Sequence, residues 1–150
     1  MIDKKDVEFV FFHEQQLREG ITEKRLEVGG RTGGGGSGHC SISDPTAISA
    51  IRNADELACI YVEYGPDTGC GRNRMKVKTP ERWLKVIAWT KEYYQEPHRT
   101  EQGKLLDMHF RQCLSREEAC EKLNIGYGKY HAMLNDMLAF AAGMAVGLGI

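Results

Sequence analysis

The sequence lacks most of the features that mark secreted, membrane or zinc-binding proteins. Its five cysteines are odd in number, form no Cys-x-x-Cys pair and follow no recognisable signal peptide. We therefore expect reduced thiols and a cytoplasmic protein. Zinc accepts mixed nitrogen and sulphur ligands, but the spacing of His39, Cys40, Cys59 and Cys70 matches no familiar zinc motif. We expect no metal site.

The sequence also lacks a catalytic motif. The five histidines and the acidic residues form no recognisable set of nucleophile, base and orienting residue. His13-Glu14 has no second histidine four residues after the first, as a zinc protease would require. We therefore predict no enzyme activity and no bound cofactor.

No apolar run is long enough to cross a membrane. The longest uncharged segment, residues 137–150, has 14 residues, whereas a transmembrane helix needs about 20. A helix that is apolar on all sides must be buried, either in its own chain or against another protein. We favour a second copy of the chain, which predicts a homodimer, and burial within the monomer is the alternative.

The net charge of −1 argues against a general polyanion binder, but the charge is unevenly distributed. Six of the 14 residues in 72–85 are basic, and Glu81 is the only acid there. Such a cluster is typical of phosphate contacts, although a merely solvated surface is the alternative. The predicted phosphate-binding residues in this cluster are Arg72, Arg74, Lys76 and Lys78.

The N-terminal part of the sequence predicts a helix followed by a glycine-rich linker. Helical spacing predicts a helix over residues 3–19, with Val7, Val10, Phe11, Glu14 and Leu17 along one side. Seven glycines in residues 29–38 predict a flexible linker, since the run lacks the Lys-Ser/Thr ending of a phosphate-binding loop.

Short elements follow the linker. Asp44-Pro45 predicts a short helix to Asn53, with aspartate as the N-cap and proline in the first turn. Residues 57–64 read as a strand and 75–78 as its partner, with turn-forming residues between them. This pattern predicts a small β-hairpin.

Three helices are predicted from residue 79 onward. Thr79-Pro80 predicts a capped helix to Tyr94, which Pro97 ends, and residues 102–113 form the next. Both tryptophans are expected to be core anchors. The buried side of the first helix is predicted to be Trp83, Val86, Ile87, Trp89, Thr90 and Tyr93, and that of the second Leu105, Leu106, His109 and Phe110.

The most informative segment is residues 115–135, SREEACEKLNIGYGKYHAMLN, which predicts two helices joined by a tight turn. Ser115 and Glu118 have the spacing of a capping box. Asn124 tolerates the positive φ that such a turn needs, and Ile125 follows as an apolar plug. The buried side of the second helix is predicted from helical spacing to be Tyr130, Met133, Leu134, Met137 and Leu138.

The opposite side of this helix is predicted to face outward, with Tyr127, Lys129, His131, Ala132 and Asn135. A recognition helix presents its base-reading side chains from its N-terminal part to the major groove of DNA. We therefore predict that Tyr127, Lys129, His131 and Asn135 contact bases. Two further basic residues are predicted to hold phosphates, Arg111 and Arg116. An ordinary αα-hairpin with a good cap is the alternative.

The order of segments resembles a known family. A glycine-rich run, SDPTA at residues 43–47, a short hydrophobic strand, TPERWLKVI at residues 79–87 and a terminal hairpin occur in turn. This order resembles the RinA/ArpU-type phage activators of late, packaging and lysis genes in Gram-positive bacteria and their prophages. The hairpin also resembles region 4 of sigma factors.

The resemblance implies a regulator in the bacterial host cell that recognises a promoter element and contacts RNA polymerase. One feature departs from sigma-like recognition helices, which usually carry several arginines or lysines, because Lys129 is the only such cation here. Bidentate arginine contacts to guanine are therefore not available from this helix.

Together these patterns predict a mainly α protein. A C-terminal tri-helical helix-turn-helix domain, residues 79–150, follows an N-terminal helix (1–28), a glycine-rich linker (29–43) and a short helix plus β-hairpin (44–78). The predicted partner is double-stranded DNA. Two other functions are open: a small terminase subunit that binds packaging DNA, and a module that contacts only protein.

Overall fold

The computed structural model describes residues 2–30, 55–65 and 73–150, and within these ranges the protein is mainly helical with one antiparallel hairpin. The predicted class is therefore confirmed at this level. The elements are α1 (Lys4–Phe12), α2 (Glu14–Gly30), β1 (Cys59–Tyr64), β2 (Asn73–Lys78), α3 (Pro80–Tyr94), α4 (Thr100–Leu106), α5 (Arg116–Leu123) and α6 (Tyr127–Gly147).

The chain forms two compact units. The helical unit contains Met1–Glu14 and Arg82–Ile150, and the hairpin unit is Gln15–Glu81. The boundaries lie at the start of α2 and in the first turn of α3.

The N-terminal helix predicted over residues 3–19 is wrong in its extent, because the chain breaks at His13. There φ is −108° and ψ is 24°, which ends α1 one residue before α2 begins. The carbonyl oxygen of Phe9 accepts the His13 backbone N–H at 3.1 Å and lies 2.8 Å from ring Nδ1. Of the residues predicted along one side, Glu14 is only half-buried, and four are buried, namely Val7, Val10, Phe11 and Leu17.

The second helix reaches further than the sequence indicated. It ends at Gly30, so Gly29 and Gly30 belong to its last turn and not to a linker. The rest of the glycine-rich segment and the helix predicted at 44–53 lie outside the described residues.

The hairpin unit contains the predicted strand pair. Val77 is paired with Ile60, and Met75 with Val62, which confirms the hairpin, although β2 begins two residues earlier than predicted. Helix α2 lies against β1, because a Cβ placed at Gly20 would be 3.2 Å from Cδ1 of Ile60. The segment between the strands, residues 66–72, is outside the described ranges.

Thr79 does not cap α3 as predicted. Its φ is +43° and its hydroxyl has no hydrogen-bond partner among the described residues, while its backbone N–H donates to the carbonyl of Ala58 at 3.0 Å. This bond continues the hairpin ladder by one residue. The prediction failed because the strand pairing, and not a cap, sets the backbone of Thr79.

Helix α3 buries most of the predicted side. Trp83 is 5% exposed, whereas Trp89 is 42% exposed and is not the core anchor that we expected. Trp89 lies two residues after the buried Ile87, about 200° around the helix. Near the helix end, Tyr94 is buried and Tyr93 is only half-buried.

The helix predicted over 102–113 begins earlier and changes pitch. A 3₁₀ turn over Pro97–Arg99 confirms the break at Pro97 and leads into α4, which continues as a π turn over Asp107–Arg111. At Cys113 the chain turns with φ of +51°. Three of the predicted inward residues are buried, Leu105, Leu106 and Phe110, and His109 is half-buried.

The apolar C-terminal segment is partly buried within its own unit. Helices α1 and α4 pack on α6, and the Phe140 ring stacks on Tyr93 with centroids 4.2 Å apart. The Arg82 guanidinium donates to the Leu148 carbonyl at 2.7 Å. The buried residues are Met137, Leu138, Ala141 and Ala145. These four residues are therefore buried within the chain, whereas Val146 is 63% exposed, and the homodimer stays a prediction. None of the helices in the described ranges has the length and apolar character to cross a membrane.

Candidate nucleic-acid interface

Helix α5 starts with the predicted capping box. The Ser115 hydroxyl accepts the backbone N–H of Glu118 at 3.3 Å, and the Glu118 carboxylate accepts the Ser115 backbone N–H at 2.9 Å. The Ser115 hydroxyl also donates to this carboxylate at 2.8 Å. The hydrogen bond from the Ser115 backbone, and then the one from its hydroxyl, hold the pKa of Glu118 below its usual value. The box fixes where α5 begins, independently of tertiary packing.

A short turn connects α5 with α6. Asn124 has φ of +52° and ψ of +48°, the left-handed conformation predicted for it. The Ile125 backbone N–H donates to the Cys120 carbonyl at 3.0 Å, which closes the end of α5. Gly126 has an extended backbone and is the N-cap residue of α6. As a glycine it provides no side-chain hydrogen bond to the first turn of the helix.

The inner side of α6 is held by packing and by one polar cluster. Tyr130 and Met133 are buried, as predicted. The Tyr130 hydroxyl lies 2.9 Å from Nδ1 of His109, and Nε2 of that ring lies 3.7 Å from the Glu8 carboxylate. Burial raises the pKa of Tyr130 and lowers the pKa of His109, which Glu8 partly opposes. This cluster fixes the rotation of α6 about its own axis.

The outer side of α6 carries the predicted base-contacting residues. Each is exposed, and Tyr127 is 51% exposed. A Cβ placed at Gly128 would meet no atom within 4 Å. The outer face, which we define as Tyr127, Lys129, His131, Ala132 and Asn135, is therefore open at its N-terminal end.

Two side chains of this outer face already have partners. The Lys129 ammonium donates to the Glu101 carboxylate at 2.5 Å, and both side chains are more than half exposed. The Asn135 amide oxygen accepts from the Lys4 ammonium at 3.3 Å. Both contacts are between exposed groups, so they are weak and exchangeable.

The two arginines predicted to hold phosphates are also paired. The Arg111 guanidinium binds the Asp107 carboxylate through Nε and through Nη2, the latter at 3.0 Å. The hydrogen bond from Arg111 holds the pKa of Asp107 below its usual value. Arg116 donates to Glu117 at 2.8 Å, and its guanidinium lies 4.5 Å from the ring centroid of Tyr127. Arg116 is thus placed at the start of the outer face.

The predicted basic cluster belongs to the hairpin unit. Arg74, Lys76 and Lys78 are exposed on β2, and Arg72 lies outside the described residues. The Arg74 guanidinium donates to Glu63 at 2.8 Å. These cations and the outer face of α6 are therefore parts of different units.

Sequence reasoning missed the exposed aromatic residue Tyr61 in the hairpin unit. Tyr61 is 60% exposed and is paired with Lys76 across the strands. Its neighbours Ile60 and Val62 are buried. Because side chains alternate along a strand, an inward Ile60 and Val62 place Tyr61 outward, and this signal was present in the sequence.

Among the residues that the structure describes, no three metal-binding side chains lie together. Of the four possible zinc ligands considered above, Cys59 alone falls in the described ranges. Comparisons with protein-family models, with curated proteins and with solved structures find no match for this chain.

Proposed function

We propose that the protein binds double-stranded DNA through α5, the turn at Asn124 and the outer face of α6. The observation that carries the proposal is the orientation of α6. One side is anchored by Tyr130 and Met133, and the opposite side presents exposed polar and small residues directly after the turn. A recognition helix needs this orientation to place its N-terminal side chains in the major groove.

The N-terminal end of α6 suits a close approach to DNA. Its first turn has no acidic residue, and Gly126 caps it without a side chain. The first N–H groups of a helix favour anions such as phosphate. Gly128 and the exposed Ala132 lie four residues apart on the same side of the helix. Because neither has a large side chain, the helix backbone can approach the DNA closely there.

Residue roles follow from donor and acceptor chemistry. Asn135 can pair bidentately with adenine, and Lys129 and His131 can donate to acceptors on guanine or to phosphates. Arg111 and Arg116 hold phosphates after exchanging their carboxylate partners. Such exchange costs little, because ion pairs between exposed groups contribute little to stability.

The biological role that we attach to this binding is regulation of phage or prophage late, packaging or lysis genes. It is supported by the resemblance of residues 43–47, 79–87 and 115–135 to RinA/ArpU-type activators and to region 4 of sigma factors. RNA polymerase is then the second expected partner.

A contact surface for protein is the second candidate function. Residues 115–135 carry three basic and three acidic side chains, so the hairpin is neutral. DNA-binding surfaces are usually strongly positive. Neutrality favours a role in which the outer face of α6 contacts RNA polymerase or another regulator, without DNA.

Asn135→Ala tests the proposed function. Affinities are measured at one salt concentration for duplex DNA from upstream of the protein's own gene and for a scrambled duplex. We expect weaker binding to the upstream DNA, by about fivefold to 100-fold, with little change for the scrambled duplex. Lys4→Ala removes the same intramolecular bond but keeps the amide, so it should bind like the wild type.

Two further variants complete the design. Arg116→Ala should weaken binding to both duplexes alike, as loss of a phosphate contact does. Gln16→Ala removes an exposed amide from α2 and is the matched control. Equal losses on both duplexes for Asn135→Ala, or no loss on either, would show that this face does not read sequence and would favour protein contact.

A further inference from the structure

The outer face of the hairpin is a second surface with the chemistry of a nucleic-acid contact. We propose that Tyr61 on β1, with Lys76 and Lys78 on β2, binds the phosphate backbone of duplex DNA without regard to sequence. The choice of DNA as the partner rests on the proposed function, but the surface acts separately from α6.

Strand register brings the three side chains together. Tyr61 is paired with Lys76, and Cys59 with Lys78. Residues 61, 76 and 78 are exposed, while Val77 and the neighbours of Tyr61 are buried, so the three share the outer side. Residues two apart on a strand lie about 7 Å from each other, and directly paired residues have Cβ atoms about 5 Å apart. The two ammonium groups and the phenol can therefore act on one segment of backbone.

The charge of this face is positive. Its one carboxylate among the described strand residues, Glu63, is bound by Arg74 through Nε at 2.8 Å and Nη2 at 2.7 Å. Within the described ranges, neither Lys76 nor Lys78 forms an ion pair. The exposed side of the hairpin therefore has two ammonium groups that no carboxylate in these ranges neutralises.

Protection of a strand edge does not account for this pattern. Charged side chains of either sign prevent edge strands from aggregating. On β2 all three charged residues are basic, and they alternate with inward residues so that they point to one side. A single sign on a single side is what an anionic polymer requires.

Tyr61 favours nucleic acid over a simple acidic ligand. A tyrosine that is 60% exposed beside two lysines offers an apolar ring and a hydroxyl donor at the same place. Tyrosine hydroxyls and lysine ammonium groups both donate to phosphate oxygens, and the ring can pack on a sugar. Ile60, Val62 and Val77 are buried on the opposite side of the hairpin, and their packing keeps Tyr61, Lys76 and Lys78 on the exposed side.

The test uses the full chain and a labelled duplex of scrambled sequence, with affinity measured over a series of salt concentrations. In the double variant Lys76→Gln/Lys78→Gln, we expect the log–log salt slope to become less steep by about 1.8. The control Lys5→Gln/Lys104→Gln removes two exposed lysines from α1 and α4 and should keep the wild-type slope. Both double variants should keep the wild-type thermal midpoint, because all four side chains are exposed.

Tyr61 is tested with two substitutions. Tyr61→Ala should lower the affinity for the scrambled duplex by about tenfold, through loss of ring packing and of the hydroxyl donor. Tyr61→Phe keeps the ring and should have a smaller effect. Equal affinities for the wild type and Tyr61→Ala would remove Tyr61 from the surface.

The experiments distinguish failure of the hairpin proposal from failure of the proposal that α6 reads sequence. Scrambled-duplex binding with a reduced slope in the hairpin variant supports this surface, even if Asn135→Ala shows no sequence reading. An unchanged slope in the hairpin variant, or the same reduction in the control, overturns it, whatever Asn135→Ala does. A wild-type chain that binds no duplex overturns both proposals.

Discussion

The hydroxyl of Tyr130 on α6 lies 2.9 Å from Nδ1 of His109 in the π turn. The other ring nitrogen of His109 lies 3.7 Å from the carboxylate of Glu8 on α1. One imidazole therefore connects three elements of the helical unit. Burial is the largest influence on His109 and lowers its pKa below 6.5, while the negative charge of Glu8 acts in the opposite direction.

Acid should destabilise the fold through His109. Because the pKa of its imidazole is lower in the folded than in the unfolded chain, protonation favours unfolding. The stabilisation is complete above about pH 6.5 and is lost as the pH falls through the folded-state pKa. We expect the thermal midpoint of the wild type to fall more steeply from about pH 7 to pH 5 than that of His109→Gln. His98→Gln, at an exposed histidine, should retain the wild-type dependence, and parallel curves for wild type and His109→Gln would refute this account.

Substitution of two glycines should have opposite effects on stability. A Cβ at Gly103 would collide with the carbonyl oxygen of Tyr94, so Gly103→Ala should lower the free energy of unfolding by about 1–3 kcal/mol. Gly143 is exposed in α6 with open space around it, and Gly143→Ala should raise it by about 0.5–1 kcal/mol. Urea unfolding measures both, and a stable Gly103→Ala variant would contradict the close approach of α4 to Tyr94.

Removal of the capping hydroxyl should loosen α5. Ser115→Ala loses the acceptor for the Glu118 N–H, and we expect a loss of about 1 kcal/mol in unfolding free energy. Ser115→Asp supplies a carboxylate acceptor and should restore most of it. Amide exchange at Glu118 should become faster in the alanine variant alone, and equal exchange in both variants would mean that the box does not stabilise the helix.

The two tryptophans should differ in their access to solvent. Trp83 is 5% exposed and Trp89 is 42% exposed. In Trp83→Phe, the remaining fluorescence of Trp89 should be strongly quenched by iodide, whereas in Trp89→Phe the fluorescence of Trp83 should be protected. Similar quenching in the two variants would contradict the orientation of α3.

Local rules were sufficient for the α5–α6 connection. The capping box at Ser115 and the left-handed Asn124 depend on residues within one turn, so their spacing predicted them. The outward side of α6 followed from the helical spacing of Tyr130 and Met133. The inward side of β1 could have been read by the same argument, and it would have identified Tyr61.

Tertiary contacts decided what the sequence did not predict. The backbone of Thr79 is held by a hydrogen bond to the carbonyl of Ala58, which is distant in sequence. Gly103 has no side chain and therefore permits the close approach of α4 to the end of α3. Trp89 was misassigned because its hydrophobicity was given more weight than its angular position. The pairing of Lys129 with Glu101 could not be predicted, since the partners are 28 residues apart.

Binding of duplex DNA by the full chain, measured against salt concentration, tests the central claim most directly. DNA from upstream of the protein's own gene is compared with a scrambled duplex of the same composition. If about four phosphates are neutralised, the log–log slope should be near −3.6, and the upstream DNA should bind more tightly than the scrambled duplex. No binding at micromolar protein, or binding that does not respond to salt, would contradict a DNA-binding function.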